Sequence, residues 1–76
     1  MEKVFVAQRV ANKLFSTENA VDAALAEATE LMSTMLRARA DLGLSATVGD
    51  QAASKLIEAI SALGEARAAM VAAHAQ

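Results

Sequence analysis

Apolar and small residues recur along this chain in alternating steps of three and four, most regularly between Thr47 and His74. There Ala53, Ile60, Arg67 and His74 form one column of a heptad, and Leu56, Leu63 and Met70 form the other. That alternation sets the two columns side by side on one face of an α-helix. Ile57, Gly64 and Val71 flank the second column, and Ala52, Ala59, Ala66 and Ala73 flank the first. Apart from Arg67 and His74, the stripe is apolar or small, and it is wider than one neighbouring helix covers.

The same period runs from Thr17 to Leu42. Its columns are Leu25, Met32, Arg39 and Val21, Ala28, Met35, Leu42, with Ala24, Leu31 and Ala38 on one flank and Leu36 on the other. Glu27, Glu30, Ser33, Thr34, Arg37 and Asp41 fall on the opposite, wet face, where Arg37 and Asp41 stand four apart as a candidate surface pair. Residues 2–15 form a shorter amphipathic segment. Val6, Val10 and Leu14 repeat every four positions, Ala7 and Ala11 lie beside them, and Phe5 points the other way.

Start and stop signals divide the pattern. Ser16 has the chemistry of a helix N-cap, and Glu18 and Asp22 then suit the positive end of a helix dipole. This predicts a break between a helix over 2–15 and one over 17–42; a single helix over 2–42 is the competing reading, since no Gly or Pro enforces a break. Gly43 is a clear stop, able to take a left-handed conformation while Leu44 folds back on the last turn. The turn is placed at 43–47. Thr47, with Asp50 three residues on, resembles a capping box opening a helix over 48–74. So short a connection makes the long helices antiparallel neighbours. The expected fold is therefore all-α: a long antiparallel helical hairpin plus a short N-terminal helix, in one domain over 1–76.

Seventy-six residues bury little core on their own. Pairing the two helices leaves Leu36, Ile57, Val71 and Leu31 at the edges of the seam, and several wet side chains of that size forfeit several kcal/mol at about 25 cal/mol per Å². The simplest remedy is a two-fold partner that completes a coiled-coil-like helical bundle. Leu36, Ile57, Leu63 and Val71 are thus the expected core and interface positions, and a homodimer is the expected assembly. A monomeric three-helix bundle is the alternative.

Composition narrows the function more than it names it. The chain has no Cys, Pro, Trp or Tyr and only two Phe. It carries no disulfide framework or thiolate metal site. Its net charge of −2 argues against a general nucleic-acid binder, although Lys3, Arg9 and Lys13 make residues 2–15 locally basic. No apolar run approaches the ~20 residues of a membrane span, and Glu2, Gln8, Arg9, Asn12 and Lys13 interrupt any signal-peptide core. A cytoplasmic, soluble chain is expected. The basic segment with Phe5 and Phe15 is a weak match to a helix lying on an anionic membrane.

The polar residues on apolar faces are Arg39, Arg67 and His74. A buried charge needs a partner, and a hairpin turning near Ser45 brings Arg39 near Asp50 and Arg67 near Asp22. Ion pairing explains them more simply than a ligand site does. A lone His does not make a metal site, the Glu-x-x-His spacing of di-iron bundles is absent, and His74 lies at the wrong end of the hairpin to share a haem with Met32 or Met35. No phosphate-binding loop or nucleophile–base set is present, so no catalytic, metal or cofactor-binding residue is assigned. The function expected is that of a small non-enzymatic, self-associating helical protein that recognises itself or another protein's helix. A ligand- or cofactor-binding bundle built on Arg39, Arg67, His74 and the methionines is the alternative. A nucleic-acid-associated regulator presenting Lys3, Arg9 and Lys13 is a weaker one.

Overall fold

The computed structural model describes residues 2–75 as two helices, α1 (Glu2–Asp41) and α2 (Asp50–Ala75), packed against each other as a hairpin. The molecule is a rod with principal extents of 63 × 17 × 13 Å. Forty residues at 1.5 Å each make α1 about 60 Å long, so α1 alone sets the length of the rod.

The break expected at Ser16 is absent: the segments over 2–15 and 17–42 are one helix. The hydroxyls that marked a possible cap bend back into their own helix instead. Both Ser16 Oγ and Thr17 Oγ1 donate to the Lys13 carbonyl, at 3.2 and 2.7 Å. Ser and Thr satisfy themselves in this way inside helices, so with no Gly or Pro nearby nothing interrupts the ladder.

The stop at Gly43 is as the sequence indicates. Its φ is +67°, Leu44 N–H donates to the Arg39 carbonyl and Gly43 N–H to the Ala40 carbonyl, both at 3.0 Å. These two bonds define a Schellman motif. The connection then runs longer than 43–47. Val48 N–H donates to Ser45 and Asp50 N–H to Thr47, forming a short extra turn, and α2 begins at Asp50 rather than at 48. Thr47 does not cap α2: its hydroxyl pairs with Ser45 Oγ at 2.8 Å. Gly49, at φ +75°, stands just before the helix, and its carbonyl accepts the first α2 bond from Ala53.

The half-buried residues trace the seam. On α1 they include Ala11, Leu14, Glu18, Val21, Leu25, Ala28, Met32, Met35 and Arg39, an unbroken alternation of threes and fours. On α2 they include Ala53, Leu56, Ile60, Leu63 and Met70. Both core columns of the long helices are thus where the periodicity put them, except Leu42, which is 72% exposed beyond the end of α1, and Arg67 and His74, which are exposed at the other end of the hairpin. Extended backwards, the α1 seam continues through Ala7 and Val4, but α2 does not reach them, and residues 2–10 are all exposed.

Candidate functional site

No described residue, apolar or polar, is buried. Two helices touch along one line each and enclose nothing between them, so even seam residues keep solvent on two sides. Leu63 is half-buried in the seam. Leu36, Ile57 and Val71 are 39%, 55% and 51% exposed. The N-terminal part of α1 does not fold back to cover them, because it continues straight past the end of α2.

Arg39, Arg67 and His74, expected as buried polar groups, are half-buried in the first case and exposed in the other two. Each nevertheless has a partner. Arg67 Nε donates to Asp22 Oδ1 at 2.7 Å, the pairing expected from the hairpin register. Arg39 does not meet Asp50; its Nη1 donates to the Ala46 carbonyl at 3.1 Å and ties the turn to the end of α1. His74 Nδ1 lies 2.8 Å from Glu18 Oε1, an enclosed oxygen with no well-aligned hydrogen-bond donor among the described residues. The His74 ring stacks edge-on against Phe15, centroids 5.1 Å apart. The register that joins Arg67 to Asp22 sets His74 opposite Phe15, seven residues on along α2 and seven back along α1, and Glu18 lies one turn closer to the hairpin's bend, within reach of the imidazole. Arg37 and Asp41 form no ion pair among the described residues; Lys55 and Glu58 do, at 3.3 Å.

These contacts make a polar clasp at the open end of the hairpin. Its hollow, lined by Glu18, Val21, Asp22, Arg67, Met70 and Val71, holds only about 50 Å³. At the turn end an apolar hollow of about 260 Å³ lies among Met35, Leu36, Leu42, Leu44, Val48 and Ala53. Its one charged neighbour, Arg39, is already engaged with Ala46. Among the described residues, no group of three or more His, Asp or Glu converges in a way that holds a metal ion. No helix is long and apolar enough to cross a membrane.

No protein-family model, curated protein or solved structure matches this chain.

The largest chemical feature is therefore the set of apolar flanks. On one side of the seam lie Phe15, Leu36, Ile57 and Val71; on the other lie Val10, Leu31 and the alanine column of α2. Sequence periodicity locates these flanks. It does not show that the N-terminal segment, expected as a covering helix, leaves both of them open and adds Val4, Phe5 and Val6 to the exposed apolar surface.

Proposed function

We propose that this chain is a self-associating helical module whose activity is helix-on-helix recognition, with no catalytic step of its own. The observation that carries this reading is the surface. A compact monomer of 7.9 kDa exposes about 4,400 Å² by the usual size scaling, whereas this hairpin exposes 5899 Å². The radius of gyration, 18.1 Å, is likewise far above the ~11 Å of a compact chain of this length. The excess near 1,500 Å² per chain is what an unaccompanied rod leaves open, and the large apolar side chains exposed on the rod include Val10, Phe15, Leu31, Leu36, Ile57 and Val71, the kind of surface that marks an interaction site. It matches what one protomer contributes to a large homodimer interface.

Open apolar flanks that recur in every copy favour a second copy of the chain, so that each hairpin shelters part of the other about a two-fold axis. Sedimentation equilibrium on the full chain tests this. The expected result is a species of twice the chain mass at micromolar concentration, and a monomer that persists to millimolar concentration overturns the reading.

A further inference from the structure

The N-terminal arm of α1 and the order of charges along that helix point to one mode of pairing. Residues 2–10 are a single exposed helical stretch. They extend α1 beyond its contacts with α2, and helical turns without tertiary contacts fray. The arm is apolar on several sides, with Val6 49% and Val10 63% exposed. Its cations are Lys3, Arg9 and, just beyond it, Lys13; from Ser16 to Glu30 the helix carries Glu18, Asp22, Glu27 and Glu30 and no cation.

Reflection about Phe15 takes positions 3, 9 and 13 to 27, 21 and 17. Glu27 stands at the image of Lys3; Asp22 and Glu18 lie one residue from the other two images, about 100° round the helix, where Arg67 and His74 of their own chain hold them. An antiparallel pair of α1 helices centred there sets basic arm over acidic segment twice, whereas a parallel pair in register sets like charge on like.

We infer that two copies associate through α1 about a two-fold axis near Phe15, the arm of each lying antiparallel along the other's hairpin. This rests on the self-association proposed above and adds its face and direction. The face is a second stripe on α1, spaced by threes and fours and turned away from the Phe15–Ile57 flank. In this register Lys3 meets Glu27, Val6 meets Ala24 and Val10 meets Ala20 of the second copy, large on small at each apolar layer. All six are exposed, and neither Lys3 nor Glu27 forms an ion pair within its own chain among the described residues. Ala66 and Ala73 of α2 border the same side, so the arm enters a shallow trough between two helices.

The test uses the full chain. Val10→Asp is expected to weaken dimerisation at least a hundredfold in sedimentation, with helix content by circular dichroism little changed because Val10 is 63% exposed in the single hairpin. Ile57→Asp, on the opposite flank, is expected to leave the dimer in place. Lys3→Glu and Glu27→Lys each weaken it about tenfold at low salt, and the double exchange K3E/E27K restores it.

Direction is read by spin labels, since the chain has no cysteine of its own. Labels on S16C are expected within about 20 Å of each other across two packed helices. Labels on A46C are expected roughly 80 Å apart by the rise of α1. A dimer that survives Val10→Asp and is lost with Ile57→Asp overturns this face and leaves self-association standing. So do A46C labels lying close together. A wild-type monomer at every concentration overturns both proposals.

Discussion

Two glycines of this hairpin have opposite expected responses to the same substitution. Gly43 sits at φ +67°, where a side chain is strained even though a Cβ there meets nothing within 4 Å. Gly43→Ala therefore costs only the left-handed backbone, about 1 kcal/mol, without any steric clash. Gly64 lies inside α2 with ordinary helical backbone and equally open space around its Cβ position. Gly64→Ala removes a residue of high unfolded-state freedom from a helix interior and is expected to stabilise by up to about 1 kcal/mol. Urea denaturation followed by circular dichroism reads both. Equal signs for the two would mean that the Schellman stop does not form in solution.

At the scale of the element, the decisive question is whether α1 is one helix or two, and Thr17→Pro answers it. With a break at Ser16, Thr17 is the first residue of a new helix, a position that welcomes proline. In the continuous α1, proline at 17 deletes a ladder bond and clashes with the carbonyl of Lys13, at a cost of about 3 kcal/mol or more. The structure predicts the large loss, read as a fall in thermal midpoint; a variant as stable as the parent would restore the break. Leu63→Ala probes the seam itself. Full burial gives losses of 2–5 kcal/mol for such truncations, and a half-buried leucine is expected at the lower end, about 2 kcal/mol. No change in the denaturation midpoint would put Leu63 outside the seam.

Much of this architecture is legible in the heptads because a seam between antiparallel helices imposes the same period on both partners. Arg67 facing Asp22 follows from that period plus a turn near Ser45. Three features are not legible, each for a physical reason. Ser16 and Thr17 carry the same hydroxyls whether they cap a helix or hydrogen-bond back within one, and composition does not separate the two. Following Val6, Val10 and Leu14 in steps of four also hides the line Val4, Ala7, Ala11, Leu14 that continues the seam into the arm. Arg39 was expected beside Asp50, but the added turn over 45–50 brings the Ala46 carbonyl within reach first.

For the whole molecule, the absence of any buried residue among the described ones sets how stability should depend on concentration. A hairpin that is complete as a monomer melts at a temperature independent of protein concentration. If association supplies the missing core, unfolding and dissociation are one process, and mass action raises the midpoint with concentration. A tenfold increase shifts the dimer's equilibrium by about 1.4 kcal/mol. Against an unfolding entropy of about 2.1 cal/mol/K per residue in each of two chains, that moves the midpoint up by about 4 °C. The same experiment with Val10→Asp separates contributions, since that side chain is 63% exposed in the single hairpin and exposed substitutions shift monomer stability by only about 0.5 kcal/mol or less. Wild type is expected to gain about 4 °C per decade while the variant's midpoint stays flat at a lower temperature. Two flat curves would mean that the hairpin folds as a monomer, and would overturn the proposed self-association.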